Sequence, residues 1–203
     1  MINNTQDIDR TITTKFIEPL EKSCKNSVKR LKTAKVKHIE SIRLINQAYK
    51  TIKNSEKNLN KYNFVDSYTL LRASLEYIVM SYMIEVEEKT YNEFLILSNN
   101  DIQLKRKFTV PNTLLKKFGK RLNKISNNLF TDTTVKQREK IMVDLYDILC
   151  KYTHASIVVS TFNEIEDKNE RKVVKLILSY NLYLIKLILL DWLKFFNNDD
   201  KEY

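Results

Sequence analysis

Apolar residues recur at every third or fourth position along most of the chain. This spacing places them on one face of an α-helix, and the alternating pattern of a half-buried strand is scarce. The single glycine cannot supply the many tight turns of a sandwich or a barrel. The pattern therefore predicts an all-α protein, a bundle of about six or seven helices with a long N-terminal helical arm.

The apolar pattern changes character near residue 62. From about residue 33 to 59, one narrow apolar stripe runs along an otherwise polar helix, which suits an arm that docks along a single seam. The next helical pattern, from about residue 64 to 88, is broadly apolar and indicates a core helix. We therefore expect a basic N-terminal helical arm over residues 1–62 and a helical bundle domain over residues 63–203.

The last helical pattern, residues 173–196, is apolar on nearly all sides. It is long enough to span a bilayer, for which about 20 apolar residues suffice. It also contains Lys175, Lys186 and Asp191, and a charge at the centre of a membrane helix costs about 2.5 to 3.5 kcal/mol. These charges favour a central core helix over a membrane span. The first residues show no secretory signal either, so we expect a cytoplasmic protein that does not contact a membrane, with a membrane-associated helical protein as the alternative.

Composition excludes several kinds of chemistry. Gly119 is the only glycine, so the chain lacks the glycine-rich loop that cradles phosphates in nucleotidases, kinases and dinucleotide-binding enzymes. Two cysteines and two histidines without close spacing give no zinc pattern, and no carboxylate cluster suggests a two-metal site. We therefore expect neither a cofactor nor a metal.

The formal net charge is +10, and the bases are concentrated in two acid-free windows. The first lies between Asp101 and Asp132, where Lys116, Lys120 and Lys124 share one helix face. The candidate nucleic-acid-binding residues of this window are Lys105, Arg106, Lys116, Lys117, Lys120, Arg121 and Lys124. The second window runs from residue 22 to 37 and contains Lys22, Lys25, Lys29, Arg30, Lys32, Lys35 and Lys37. Such faces suit the phosphates of a nucleic acid, an acidic protein partner, or solvent alone.

Two groups of residues are candidates for chemistry. His154 follows a strongly periodic helix, next to Lys151 and Tyr152, and these residue types can cleave RNA without a metal. A histidine that packs or caps at the helix end is the structural alternative. Arg72 and Glu76 are four residues apart on an apolar helix, where a buried charge needs a partner. The pair either fixes helix packing or lets Glu76 orient Arg72 toward a phosphate.

The run DSYTLLRASLE over residues 66–76 and the later run KYTHAS over residues 151–156 resemble proteins of the HEPN superfamily (higher eukaryotes and prokaryotes nucleotide-binding). The resemblance covers roughly residues 63–196. It implies an all-α bundle, frequent homodimerisation and, in many members, metal-independent ribonuclease activity in toxin–antitoxin or phage-defence systems. The family's signature is an Arg followed after four to six residues by His. Asp147, Ile148 and Leu149 occupy the possible Arg positions before His154, so Arg72 is the candidate substitute in space.

Two functions follow as hypotheses. The first is an intracellular, RNA-directed effector of the toxin or phage-defence type, in which His154 is the acid–base group and Arg72, Lys151, Tyr152 and Glu76 complete the catalytic site. The second is a non-catalytic helical protein whose basic helix faces bind nucleic acid or an acidic partner such as an antitoxin.

Overall fold

A computed structural model of the chain describes residues 18–31, 36–87, 92, 110–122, 133–153 and 165–197. Six helices lie in these ranges: α1 (Glu18–Arg30), α2 (Ile39–Asn60), α3 (Phe64–Val86), α4 (Asn112–Arg121), α5 (Val135–Thr153) and α6 (Lys168–Asn197). No strand occurs in the described ranges. The all-α prediction is confirmed.

Helices α2 and α3 form an antiparallel hairpin with the most extensive contact between any two helices in the described ranges. Small buried residues recur at seven-residue intervals on both helices of the hairpin: Ser41, Ala48 and Ser55 on α2, and Ser67, Ser74 and Ser81 on α3. The hydroxyl oxygens of Ser55 and Ser67 are 2.8 Å apart. Each of these two hydroxyls also lies within hydrogen-bond distance of the other residue's carbonyl oxygen, at 2.9 and 3.1 Å. The two helix backbones therefore approach closely at this point, and the buried hydroxyls have polar partners.

Helix α6 packs against α3, α2 and α1. Its second half is buried on several sides and includes Trp192, whose indole N–H donates to Ser81 Oγ at 2.7 Å. The first half is more open, and four of its apolar side chains are exposed: Val173, Leu176, Ile177 and Tyr180. Among the described helices, α6 is also the one that is long and apolar enough to cross a membrane, judged by length and composition alone.

One charge of α6 lies inside the protein. The Lys186 side chain is only 1% exposed, and its ammonium group lies 2.8 Å from Glu21 of α1 and 3.1 Å from Glu56 of α2. Lys53 contacts the same two carboxylates, at 3.2 Å from Glu21 and 2.8 Å from Glu56. Two cations thus alternate with two anions, which offsets the desolvation that an unpaired buried lysine would suffer.

These ion pairs fix the position of α1. Leu20 and Cys24 of α1 pack against Leu187, and Tyr49 of α2 donates its hydroxyl hydrogen to Glu21 at 2.8 Å.

Burial raises the pKa of the Cys24 thiol to about 12, so this cysteine stays protonated and unreactive near neutral pH. Burial alone would raise the pKa of Glu21, but Lys186, Tyr49 and Lys53 together outweigh it and lower that pKa below its usual value.

The N-terminus of α2 is capped by a residue near the C-terminus of α3. Glu85 of α3 is 1% exposed, and its carboxylate accepts the backbone N–H groups of Lys37 and His38 at 2.7 and 3.3 Å. It also accepts the Ser41 hydroxyl at 2.9 Å. A carboxylate at a helix N-terminus satisfies unpaired amides and complements the helix dipole. The Glu85 carboxylate thus holds the start of α2 against the end of α3.

Helices α4 and α5 cross at Gly119. A Cβ atom on Gly119 would lie 3.0 Å from the Cα of Glu139 and 3.1 Å from the carbonyl oxygen of Arg138. Both are backbone atoms that cannot turn aside. A Cβ there would require the two helix backbones to shift apart by a few tenths of an ångström, so a glycine suits this close approach.

We expect Gly119→Ala to destabilise the protein. Added volume in a packed contact costs about 1 to 3 kcal/mol, and the better helix propensity of alanine returns about 1 kcal/mol. The net loss should be roughly 1 kcal/mol in urea unfolding, while Lys116→Ala on the exposed side of α4 should stay within about 0.5 kcal/mol. Stabilisation by Gly119→Ala would show that the crossing is looser than described.

The buried carboxyl group of Asp191 on α6 should make the folding stability depend on pH. Burial raises the pKa of its carboxyl group to about 8, although Lys194 opposes the shift. Between pH 4 and 8 the unfolded chain loses this proton and the folded chain keeps it, so folding stability should fall as the pH rises and level off above about 8. Asp191→Asn should reduce the loss of melting temperature between pH 5 and pH 8. The exposed Asp144→Asn is the matched control, and equal slopes in both variants would contradict the assignment.

Candidate functional site

Arg72 and Glu76 lie where α3 faces α5. The Nε–H of Arg72 donates to Glu76 Oε1 at 3.0 Å, so the four-residue spacing does produce the predicted pair. Tyr146 of α5 donates its hydroxyl hydrogen to the same oxygen at 2.9 Å, and the Arg72 guanidinium carbon lies 5.8 Å from the centre of the Tyr146 ring. One carboxylate oxygen therefore holds both a cation and a phenol, and it ties α3 to α5.

Arg72 also reaches the last residue of α5. Its Nη1 donates to Thr153 Oγ1 at 3.2 Å, and the Thr153 hydroxyl donates in turn to the carbonyl oxygen of Cys150 at 3.1 Å. The guanidinium thus lies against the C-terminal turn of α5. That turn carries Lys151 and is followed directly by His154.

The cluster is polar and partly open to solvent. The Arg72 and Glu76 side chains are 21% and 26% exposed, so a ligand from solvent can approach them, which a fully buried pair would prevent. Partial burial acts to lower the pKa of Arg72, but Glu76, Cys150 and Tyr146 together outweigh it and raise that pKa above its usual value. Burial, followed by Glu76, raises the pKa of Tyr146. At neutral pH the cluster therefore holds a permanent cation and a protonated phenol.

Two further predicted residues flank this cluster. The Tyr152 ring stacks on the buried ring of Tyr68 from α3, with centroids 4.5 Å apart and an interplanar angle of 22°. Lys151 is exposed. His154, the predicted acid–base group, lies outside the described residues. The structure thus brings Arg72, Glu76 and Tyr152 to one side of α3 and α5, while the distance from Arg72 to His154 stays untested.

The predicted nucleic-acid face on α4 is partly neutralised by acids. Lys117 pairs with Glu87 at 2.6 Å, and Lys120 lies 3.5 Å from Glu139 of α5. Lys116 and Arg121 are exposed. The remaining members of this predicted set, Lys105, Arg106 and Lys124, lie outside the described residues. The pairs on Lys117 and Lys120 make this face less cationic than its sequence suggests.

Sequence reasoning missed Tyr146 and Thr153 as members of the cluster. Tyr146, Cys150 and Thr153 are spaced by four and three residues, so they share one face of α5. That polar face was a usable signal, but nothing in the sequence paired it with Arg72. Within the described ranges, no group of three or more His, Cys, Asp or Glu residues is placed to hold a metal ion.

No family model, curated protein or solved structure matches this chain. Its function must therefore be inferred from the cluster itself.

The contact between Arg72 and Thr153 should be measurable as a coupling energy. We expect Arg72→Gln and Thr153→Val to be non-additive by about 0.5 to 1.5 kcal/mol in urea unfolding, because each removes the other's hydrogen-bond partner. The control cycle combines Arg72→Gln with the exposed Asp144→Asn and should be additive. Additive effects in the first cycle would show that Arg72 does not hold the end of α5.

Proposed function

We propose that this protein is an RNA-directed effector of the toxin or phage-defence type, a metal-independent endoribonuclease whose site contains Arg72. The observation that carries the proposal is the hydrogen bond from Arg72 to Thr153. It brings a permanent cation to the turn that carries Lys151 and immediately precedes His154. An arginine, a lysine and a histidine are the residue types that RNA cleavage without a metal uses.

In the proposed reaction, His154 takes the proton of a ribose 2′-OH. The freed oxygen attacks the neighbouring phosphorus, and Arg72 and Lys151 stabilise the negative charge on the crowded phosphorane. The bond to the 5′-oxygen then breaks, and His154 returns the proton to that leaving group. The products are a 2′,3′-cyclic phosphate and a 5′-hydroxyl.

The other residues act by positioning. Glu76 and Tyr146 hold the Arg72 side chain in one orientation through the shared oxygen, which lowers the entropy lost when a phosphate binds. Tyr152 is held by its stack on Tyr68 and supports the turn that carries Lys151. The predicted nucleic-acid face on α4, which carries Lys116, makes weaker contacts with the phosphate backbone of the RNA. The proposal agrees with the activity that the HEPN resemblance implies.

The test is RNA cleavage in the presence of EDTA. His154→Ala should abolish cleavage while leaving the melting temperature nearly unchanged. Lys151→Gln should lower the rate by about 100- to 1,000-fold, as the loss of one group that stabilises transition-state charge does elsewhere, whereas the exposed Lys140→Gln on the same helix should not change it. Unchanged cleavage in His154→Ala, or cleavage that requires an added metal, would overturn the mechanism.

A second candidate is a non-catalytic protein that binds nucleic acid or an acidic partner through its basic faces. The observation that favours it is the pairing of Arg72 with Glu76 and Tyr146, because such a network also serves helix packing alone. On this alternative, charge reversal of Lys116, Lys120 and Lys124 to Glu abolishes binding, and the wild-type protein cleaves no RNA. Unaffected binding in that variant would contradict a role for this basic face.

A further inference from the structure

The N-terminal helix α1 has two faces of opposite character. Its inner face carries Leu20, Cys24 and Glu21, which are held by α6 and α2. Its outer face carries three exposed lysines, Lys22, Lys25 and Lys29. Their spacing of three and four residues places them in one line along the helix, opposite the buried side.

The anchoring of α1 sets the direction of these lysines. Glu21 is turned inward to Lys186 and Lys53, so this acid cannot neutralise the outer face. Glu18 is the remaining acid of α1. None of Lys22, Lys25 and Lys29 forms an ion pair with another described residue, in contrast to Lys117 and Lys120 on α4. The lysine line is therefore the less neutralised of the two basic faces.

We propose that the outer face of α1 is a binding surface for the phosphate backbone of RNA. The choice of RNA rests on the function proposed above. Like charges at this spacing repel one another and destabilise the helix by a few tenths of a kcal/mol for each pair. Phosphates remove that repulsion and release counterions when they bind.

The composition of the outer face favours a nucleic acid over a protein partner. Besides the lysines, the residues exposed on α1 are Glu18, Pro19, Ser23, Asn26 and Arg30, and no large apolar side chain is among them. Protein interfaces have an apolar core from which lysine is depleted. Interfaces with nucleic acids are polar and strongly positive, as this face is.

The surface also predicts the size of the substrate. Helix α1 packs on α6 and α2, whereas the Arg72 cluster lies between α3 and α5. Since neighbouring helices lie about 8 to 10 Å apart, an RNA that contacts both places must extend over roughly 20 Å or more. The substrate class is therefore an extended RNA strand, and a dinucleotide would occupy the Arg72 cluster alone.

The binding test uses a fluorescent 2′-O-methyl RNA, which has no free 2′-OH and cannot be cleaved by the proposed reaction. The variant combines Lys22→Gln, Lys25→Gln and Lys29→Gln, and the control combines Lys136→Gln, Lys140→Gln and Lys168→Gln, which remove the same charge from other exposed positions. Each phosphate contact on a single strand contributes about 0.7 to the salt slope. The α1 variant should bind at least tenfold more weakly, with the slope of log Kd against log salt reduced by about 2.

Three results of the binding test would overturn the proposal: an unchanged Kd in the α1 variant, an equal loss in the control variant, or displacement of the RNA by polyglutamate at the same charge concentration. The last result would assign the surface to an acidic protein. Circular dichroism melting of both variants should match the wild type, because the changed side chains are exposed.

A cleavage arm separates this proposal from the proposed function. The α1 variant should raise the KM for a long RNA while leaving dinucleotide cleavage unchanged. If the wild type cleaves neither RNA but binding still depends on α1, the ribonuclease function fails and the surface stands. If long-RNA cleavage is the same in the variant and the wild type, the surface fails and the ribonuclease function stands.

Discussion

The structure depends on how the buried Lys186 is satisfied. A fully buried ammonium group is tolerated only with partners, and here Glu21 and Glu56 come from two other helices. Because the three charges belong to α6, α1 and α2, their pairing fixes α1 against the hairpin and α6. It also turns Glu21 inward, and this leaves the line of lysines outward on α1. One internal charge thus determines both the packing of the N-terminal helix and the electrostatic character of its surface.

The helices could be predicted from the sequence because apolar spacing reports directly on helix faces. The contacts between helices could not, since they depend on which faces meet. Lys186 was recognisable as a costly charge in an apolar segment, but its partners are more than a hundred residues away in the sequence. Residues of α2 contribute to the same core as α3, α5 and α6, although the narrow apolar stripe of α2 is typical of a helical arm. The division at residue 62 stays a prediction.

At the candidate site, too, a contact within one helix could be predicted from the sequence and contacts between helices could not. The Arg72–Glu76 pair was predictable because its partners lie four residues apart on one helix. Tyr146 and Thr153 come from α5, and only the packing of α3 on α5 brings them to Arg72. From the sequence, the Arg72–Glu76 pair could serve either helix packing or phosphate binding. In our proposal it serves both. Glu76 and Tyr146 anchor the guanidinium, and the anchored guanidinium meets the end of α5.

The central claim is that Arg72 and the residues after α5 form one phosphate-binding site. NMR spectroscopy tests it directly, by following the Arg72 Nε–H and the His154 ring signals during titration with a non-cleavable dinucleotide phosphate. Our account predicts that both sets of signals shift with the same Kd, and that Arg72→Gln removes the shift at His154. Separate dissociation constants, or an Arg72 signal that does not respond, would contradict it.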